Sequence, residues 1–233
     1  MKTFHLLKLN LPIFQQLQIE EALLRADQRN WCILNQGSPT AIVMGISGNP
    51  QRLIDLEHLR NFPVPLIKRF SGGGTVVIDE NTLFTTFIGN KEDLKVACCT
   101  NEIHLWAKKI YKEIFPTEFN LTENDYTFGD RKFGGNAQYL RKDRWLHHTS
   151  FLWDFKQSNM SYLLMPNKIP AYRKQRTHSD FLCRLKDFLS EKEKLISNLV
   201  ESLKKNYTVK EISLDSLEAI LQKPHRKATV LLE

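Results

Sequence analysis

The sequence predicts an α+β fold in which a mostly antiparallel mixed β-sheet is flanked by helices. Three observations support this class. Short β-branched and aromatic runs, bounded by turn residues, recur along the first two-thirds of the chain. Two stretches, 13–27 and 101–115, carry apolar residues at helical spacing. Strand-like runs follow one another directly more often than they alternate with helices, which favours hairpins over a βαβ winding.

The first half of the chain begins with a strand, "TFHLLKL", and a helix that starts after Pro12, since proline is favoured at helix N-termini. Two short apolar runs, "WCILN" and "TAIVMG", are separated by the turn signal "QGSP" and predict a hairpin. The stretch "NPQRLIDLEHLRN" predicts a short helix. Three further strands then follow, separated by glycines or by Asp-Glu-Asn: "VPLIKR", "TVVID" and "LFTTFI".

The second half opens with the amphipathic helix at 101–115, whose apolar positions are Ile103, Trp106, Ala107, Ile110, Tyr111 and Ile114. Strands are predicted at "NDYTF", "RKFGGNAQYL" and "WLHHTSFLWDF". The region 157–180 is rich in Pro, Lys, Arg and Asn, which indicates a loop with short helical pieces.

The C-terminal stretch predicts more helix. The sequence from "LCRLKDF" to "KKNY" is helical in pattern, with a capping box at Ser190 and Glu193. The tail "TVKEISLDSLEAILQKP" predicts a strand and a short helix, with a second capping box at Asp215 and Glu218.

Composition narrows the class of protein and its partners. The 233 residues carry a net charge of +7, and no apolar run is long enough to span a membrane. The basic balance fits an anionic partner, but the cations are scattered and no nucleic-acid-binding module is recognisable, so we expect neither nucleic acid nor membrane as a partner. The N-terminus shows no secretory signal, and four cysteines without metal-ligand spacing indicate reduced thiols and a cytoplasmic location.

The stretch "KRFSGGGTV", residues 68–76, places three consecutive glycines between two apolar strands. Glycine adopts positive φ easily and leaves its N–H unobstructed, so Gly72, Gly73 and Gly74 can aim amides at an anion. A strand follows them rather than a helix, which excludes the P-loop and the dinucleotide fingerprint. Arg69 at the entry is the better partner for a phosphate or carboxylate than Lys68. A glycine-rich bulge without a ligand is the equally open alternative for this stretch alone.

A second glycine pair lies in "GDRKFGGNAQ", just after Lys132. On a regular strand Lys132, Gly134, Asn136 and Gln138 share one face. A lysine among such small neighbours can lean over a bound ligand. Two glycine-rich strands, each with its own cation, are explained most simply by one convergent anion site. The two neighbouring histidines, His147 and His148, face opposite sides of their strand and do not form a metal site, and no other zinc pattern occurs.

These motifs, in this order, resemble the lipoate–protein ligase family, which is related in fold to biotin protein ligases. The residues that carry the resemblance are "KRFSGGGTVVID" with "LFTTF", then "ND…GDRKFGGNAQ", then "HHTSFL". It covers about two-thirds of the chain, and "MGISG" and "DFLCR" are most similar to short plant-type members. The resemblance implies a class II biotin/lipoate ligase-like catalytic domain at 1–184, followed by a short C-terminal helical extension at 185–233, a reduced accessory element.

The resemblance also implies a two-step acyl transfer with ATP and Mg²⁺ as cofactors and lipoate as substrate. The lipoate carboxylate attacks the α-phosphate, and a lysine amine then attacks the resulting lipoyl-AMP. The implied acceptors are apo lipoyl domains of 2-oxoacid dehydrogenase complexes or the glycine-cleavage H protein, and we expect the enzyme to act as a monomer. Two departures from the family pattern, Ile46 in place of Arg and Ile78 in place of His, leave the preferred acyl chain open.

The site residues implied by the resemblance fall in both glycine-rich segments. Lys132 matches the essential lysine, which contacts the acyl carbonyl and the phosphate, and it is the expected catalytic residue. The expected nucleotide- and adenylate-binding residues are Arg69, Ser71, Gly72, Gly73, Gly74, Thr75, Val76, Val77, Asp125, Asn136, Ala137 and His148. No protein metal site is expected.

Two alternatives remain. An ATP-independent octanoyl or lipoyl transferase of the same fold needs a cysteine nucleophile, and Cys183 is the only thiol near the motifs. A cysteine in its apolar setting is more often a buried structural residue. A catalytically idle lipoyl- or nucleotide-binding protein is the other alternative, and the presence of Lys132 argues against it.

Overall fold

The computed structural model describes residues 1–115, 119–166 and 169–232. The strands are β1 (Thr3–Leu9), β2 (Asn30–Asn35), β3 (Ala41–Met44), β4 (Leu66–Lys68), β5 (Thr75–Ile78), β6 (Thr82–Asn90), β7 (Phe119–Thr122), β8 (Asp125–Phe128), β9 (Arg131–Leu140), β10 (Arg144–Leu152), β11 (Thr208–Glu211) and β12 (Val230–Leu232). The α-helices are α1 (Ile13–Ala26), α2 (Pro50–Leu53), α3 (Leu56–Asn61), α4 (Lys91–Leu94), α5 (Thr100–Tyr111), α6 (His178–Phe181), α7 (Lys192–Lys204) and α8 (Glu218–Leu221).

The strands form two sheets. The large sheet has the order β11-β1-β2-β6-β10-β9-β8-β7, and the small sheet has the order β12-β4-β3-β5. Most neighbours are antiparallel, whereas β1 runs parallel to both β2 and β11, and β3 runs parallel to β4. The predicted α+β class with a mostly antiparallel mixed sheet is therefore confirmed. Among the residues that the structure describes, none of the helices is both long and apolar enough to cross a membrane.

The large sheet separates two apolar layers. One face packs against α5 and α7 through an aromatic-rich cluster that includes Phe87, Phe133 and Phe151. The opposite face packs against α1 and the small sheet, where Ile13 and Leu17 of α1 meet strands of both sheets. These two faces matter below, because any side chain on β9 or β10 belongs to one layer or the other.

The predicted hairpin of "WCILN" and "TAIVMG" is wrong. β2 lies inside the large sheet between β1 and β6, whereas β3 lies inside the small sheet. The chain enters β2 through α1, so β1, α1 and β2 form a parallel crossover unit. Every residue of both strands is buried. Such strands have no polar face that fixes their partner locally, and long-range packing decides which sheet each one joins.

Helix boundaries differ from the sequence expectation in two places. α5 ends at Tyr111 instead of 115, although Ile114 and Phe115 remain buried in the turn that follows. The capping box at Ser190 and Glu193 is wrong, because α7 starts after Glu191 without a side-chain cap. The second box is wrong as well: a 3₁₀ turn at Leu214–Leu217 precedes α8, and it has no side-chain cap either. The region 157–180 contains short helical turns as predicted, apart from 167 and 168, which lie outside the described residues.

The C-terminal residues pack against the rest of the chain. α7 contributes Leu195, Leu199 and Leu203 to the aromatic-rich cluster, and β11 extends the large sheet beside β1. β12 pairs with β4 at the edge of the small sheet. The division into a catalytic domain at 1–184 and a C-terminal helical extension at 185–233 stays a prediction, and these contacts lead us to expect that the two parts unfold as one cooperative unit.

Replacing Leu199 with Ala tests that expectation. Leu199 is 1% exposed, and its truncation leaves a cavity that should cost about 2–5 kcal/mol of unfolding free energy. Unfolding followed in denaturant by circular dichroism and by tryptophan fluorescence should stay a single coincident transition at a lower midpoint. The exposed Asn198 on the same helix provides the control, since Asn198→Ala should change stability by less than about 0.5 kcal/mol. Two separated transitions would contradict the single-unit expectation.

Candidate active site

The glycine-rich segment connects β4 to β5 and approaches β9 of the large sheet. Gly73 has a φ of +104°, and a Cβ added there would lie 2.7 Å from Arg69 Nη2 and 3.5 Å from the Ala137 Cβ. On its other side, a Cβ added at Gly45 would lie 2.2 Å from the Gly73 carbonyl oxygen. Glycine is therefore favoured at Gly73 by its positive φ and by the close Arg69 guanidinium, whereas at Gly45 a side chain would clash with the Gly73 backbone. We call residues 71–75 the glycine loop.

Arg69 is buried under the glycine loop without an ion-pair partner among the described residues. Its guanidinium donates to the Gly72 carbonyl at 2.7 Å and to Ser71 Oγ at 3.1 Å. Burial lowers the pKa of Arg69 to about 10, and the nearby Glu20 carboxylate opposes this shift. Arg69 consequently remains charged at neutral pH, although its guanidinium donates hydrogen bonds only to neutral groups. A buried cation of this kind has unused capacity for an anionic ligand.

The predicted loop residues divide into two groups. Gly72 and Gly74 face open space, and the buried Thr75 hydroxyl has no hydrogen-bond partner in the described part of the chain. These positions can give donors to a ligand. Val76 and Val77 instead pack against two apolar clusters of the small sheet.

Lys132 reaches the site because β9 contains a β-bulge. Lys132 pairs with Thr127 and Gly134 pairs with Tyr126, so Phe133 is an extra residue in the ladder. A Cβ added at Gly134 would meet the ring of Phe151 in the aromatic-rich layer, whereas one added at Gly135 would lie 3.1 Å from Lys132 Nζ. The prediction that Lys132 and Gly134 share a face is therefore wrong. Lys132 shares a face with Gly135 and Ala137, opposite the glycine loop.

Asp125 is the ion-pair partner of Lys132. The Lys132 Nζ lies 2.8 Å from Asp125 Oδ1, and both side chains are largely buried. Asp125 is the first residue of β8 and pairs with Gly135 across the ladder. The structure thus brings together three predicted site residues, Lys132, Asp125 and Ala137, on one face of the sheet beneath the glycine loop.

Asn136 lies on the other face. Its Oδ1 accepts from Thr149 Oγ1 at 2.7 Å, and its Nδ2 donates to the Asn124 carbonyl at 2.9 Å. The bulge moves Asn136, like Gln138, to the face opposite Lys132, which corrects the predicted shared face. Asn136 therefore holds the turn before Asp125 from behind the sheet.

His148 lies on the site face, across the ladder from Ala137. Its Nδ1 donates to Glu20 Oε2 at 3.1 Å, and Glu20 is fully buried. Thr86 and Gln16 donate to the other oxygen of Glu20 at 2.6 and 2.7 Å. Sequence reasoning missed Glu20, since one acidic residue within a helix pattern gives no signal by itself. Its position on the buried stripe of α1, beside Leu17 and Leu24, was the available hint.

Residues 169–183 form a segment that lies against the β8–β9 hairpin, and we call it the clamp segment. Arg176 forms an ion pair with Asp130 at 3.0 Å, and Arg131 donates two hydrogen bonds to the Leu182 carbonyl. Tyr172 donates its hydroxyl to Asp125 Oδ2 at 2.8 Å. The clamp segment therefore touches the site through Asp125, a contact that the irregular sequence of this region did not reveal.

The residues present do not form a binding cage for Mg²⁺. Within the described ranges, no three His, Cys, Asp or Glu side chains come together as they would around a metal ion. The carboxylate beside Lys132, Asp125, has one oxygen on Lys132 and the other on Tyr172. Magnesium is usually held by one or two carboxylates together with substrate phosphates and waters.

The glycine loop provides a stability test of the site geometry. Gly73→Ala should cost about 2 kcal/mol, from left-handed strain and from the clash with Arg69, which corresponds to a decrease of about 4–8 °C in the melting temperature. Gly72→Ala is the matched control, because a Cβ at Gly72 meets nothing within 4 Å. Differential scanning calorimetry of both variants measures the difference, and equal melting temperatures would contradict the loop geometry.

Comparison with known proteins identifies the family. A family model described as the lipoyl protein ligase A/B catalytic domain matches residues 12–212. A Plasmodium falciparum protein named inactive lipoate–protein ligase 2 is 29% identical over 75% of this chain, which spans 61% of that relative's length. The chain spans only 30% and 55% of the length of two other curated relatives, from Plasmodium falciparum and Bdellovibrio bacteriovorus.

Two solved structures share the fold at low sequence identity. A lipoate–protein ligase A bound with ATP superposes with a TM-score of 0.76 at 16% identity, covering 95% of this chain and 93% of that chain. A bi-partite lipoate protein ligase from Thermoplasma acidophilum, described together with its E2 lipoyl domain, gives a TM-score of 0.72 at 15% identity, with coverage of 95% and 90%. The fold is therefore that of the class II biotin/lipoate ligases, and with the family model covering most of its length, the chain belongs to the lipoyl protein ligase A/B catalytic domain family.

Proposed function

We propose that this protein is an ATP-dependent lipoate–protein ligase. The observation that carries the proposal is that two cations, Lys132 and Arg69, lie on the side of the large sheet that the glycine loop approaches at Ala137. Both steps of the reaction build negative charge on phosphate and carbonyl oxygens. Preorganised cations and N–H donors are the groups that stabilise such charge. The family and its ATP-bound structural neighbour support the same assignment.

In the first step the lipoate carboxylate oxygen attacks the α-phosphorus of ATP, an O–P bond forms, and pyrophosphate leaves. Lys132 neutralises charge on the α-phosphate and the acyl carbonyl, and Arg69 with the Gly72–Thr75 backbone holds the nucleotide phosphate. In the second step the neutral amine of an acceptor lysine attacks the carbonyl carbon and forms an N–C bond. The C–O bond to AMP breaks, AMP leaves with the bonding electrons, and the amine nitrogen releases one proton to solvent. Asp125, Ala137 and His148 border the adenylate in this proposal. Asn136 contributes by holding the turn before Asp125, a role that its observed contacts support.

The acyl chain needs an apolar slot, which contributes about 0.8 kcal/mol for each buried CH₂. Val43 and Val76 of the small sheet lie in the cluster next to α1 and are suitable lining residues. Phe87 is unsuitable, because it lies in the layer on the opposite face of the large sheet. We propose lipoate as the acyl substrate, which the lipoyl protein ligase family supports.

The proposed acceptor is an apo lipoyl domain, from a 2-oxoacid dehydrogenase complex or the glycine-cleavage H protein. A structural neighbour that is described with its E2 lipoyl domain supports this class of partner. Monomeric action and a cytoplasmic location stay predictions. Because the chain spans only part of its curated relatives, we propose the ligase reaction for the catalytic domain itself.

The transferase alternative depends on Cys183, and the structure disfavours it. Cys183 is 2% exposed and packs in the aromatic-rich layer, on the face opposite the Lys132 ammonium. Burial raises the pKa of its thiol to about 11, so the nucleophilic thiolate is scarce at neutral pH. Its Sγ lies 3.5 Å from the Arg131 carbonyl, a contact typical of a structural thiol.

The ligase proposal is tested by mixing the protein with ATP, Mg²⁺, lipoate and an apo lipoyl domain, and measuring the acceptor by mass spectrometry. Lys132→Met keeps the apolar stem and removes the charge, so lipoylation should fall about 100-fold or more. The exposed Lys142→Met serves as the control and should retain full activity. Thermal unfolding shows that both variants are folded. Undiminished activity of Lys132→Met would contradict the assigned role, and no ATP-dependent lipoylation by the unaltered chain would contradict the function.

A second variant separates ligase from transferase. Cys183→Ser should retain lipoylation with ATP and free lipoate within about threefold, because a hydroxyl can still donate to the Arg131 carbonyl. The unaltered protein should give no modification when an acyl-carrier donor replaces ATP and free lipoate. Transfer from that donor, lost in Cys183→Ser, would favour the transferase.

A further inference from the structure

The turn that presents Asp125 is held from both faces of the sheet. Asp125 follows a two-residue turn, Glu123 and Asn124, and Glu123 has a φ of +54°. On the far face, Asn136 donates to the Asn124 carbonyl. On the site face, Tyr172 contacts the same turn twice: its hydroxyl donates to Asp125 Oδ2 at 2.8 Å, and its N–H donates to Glu123 Oε1 at 3.3 Å. The position of the Asp125 carboxylate is therefore fixed by residues outside β8.

Tyr172 is itself held rigidly by the clamp segment. Its ring lies 5.2 Å from the ring of Phe181, which is 3% exposed. Arg173 and Arg176 lie over the Phe181 ring at 4.8 and 5.4 Å. Arg176 also donates to the Tyr172 carbonyl at 2.8 Å. A tyrosine side chain has two rotatable bonds, and these contacts restrict both. Its hydroxyl therefore has a defined position.

The Tyr172 hydroxyl acts only as a donor in this position. Burial and the Asp125 charge raise its pKa far above the usual value, so it stays protonated. Asp125 thus has one oxygen on a phenol and the other on the Lys132 ammonium. An ammonium has three N–H groups, so Asp125 takes one and leaves two for a ligand. The contact with Asp125 orients Lys132 and leaves two of its N–H groups available to a ligand.

We propose that Tyr172 is a positioning residue for Lys132: by occupying one oxygen of Asp125, it makes that carboxylate hold the ammonium over Gly135, beneath the glycine loop. The inference rests on the role of Lys132 in the proposed function. It assigns to the clamp segment a part in aligning the cation, separate from any contact with substrate. Without the phenol, the carboxylate can rotate and its lysine partner moves with it.

Tyr172→Phe removes the hydroxyl and keeps the ring on Phe181. Tyr162→Phe is the control, because Tyr162 is at least as buried as Tyr172 and its hydroxyl donates to a backbone carbonyl, that of Phe62, rather than to Asp125. Two measurements are made on both variants and on the unaltered chain. The first is the ¹H–¹⁵N spectrum of lysine side chains, in which the Lys132 ammonium signal is assigned by its absence in Lys132→Met. The second is the steady-state kinetics of lipoylation.

In Tyr172→Phe the Lys132 signal should shift or broaden, and kcat should fall about tenfold with KM for ATP and lipoate within about twofold. Tyr162→Phe should leave both unchanged. An unaltered Lys132 signal in Tyr172→Phe, or the same change in Tyr162→Phe, would overturn the inference. If the unaltered chain shows no ATP-dependent lipoylation, the proposed function fails, while the spectrum still decides whether Tyr172 positions Lys132.

Discussion

The arrangement of the site depends on one extra residue in strand β9. The bulge at Phe133 lets two successive residues, Phe133 and Gly134, both serve the aromatic-rich layer. The side chains after the bulge point to the opposite faces from those that a regular strand would give them. Gly135 and Ala137 therefore face the small sheet together with Lys132. Without the bulge, a strand cannot bury Phe133 and also place Lys132 and Ala137 on the side of the glycine loop. The bulge thus lets one strand contribute both to the apolar core and to the candidate site, and it leaves one residue of the ladder unpaired.

The second constraint is electrostatic. Arg69, Glu20 and Asp125 are all almost completely buried, a costly arrangement for charged groups in a protein interior. Asp125 is compensated by Lys132 and Tyr172, and Glu20 by donors from three residues. Arg69 has only carbonyl and hydroxyl acceptors. Arg69 has no direct ion-pair partner within the described residues, although the nearby Glu20 carboxylate opposes the lowering of its pKa, and it lies under the glycine loop. A buried guanidinium without a direct anionic partner is a physical reason to expect a phosphate there.

Much of this could be predicted from the sequence, because the strongest signals were local. The glycine run, the lysine of β9 and the helical spacing of Ile103, Trp106 and Ala107 gave the fold class and the two halves of the site. The failures share one cause. Whether β2 pairs with β3, and which way Asn136 points, depends on partners far away in sequence. A bulge that moves one strand by a residue leaves no mark in composition. Glu20 and Tyr172 were missed for the same reason, since the role of each depends on a hydrogen-bond partner in another element.

Glu21, the residue next to Glu20 on α1, holds the start of β12, the outer strand of the small sheet. While Glu20 faces His148, the adjacent Glu21 accepts the backbone N–H groups of Ala228 and Thr229 at 3.0–3.1 Å, immediately before β12. Glu21 is 2% exposed and is also paired with Arg25. Pairing of β12 with β4 satisfies the hydrogen-bonding groups on the outer side of β4 and makes β12 the edge strand of the small sheet. One turn of α1 therefore holds His148 of the candidate site through Glu20 and the start of the last strand of the small sheet through Glu21.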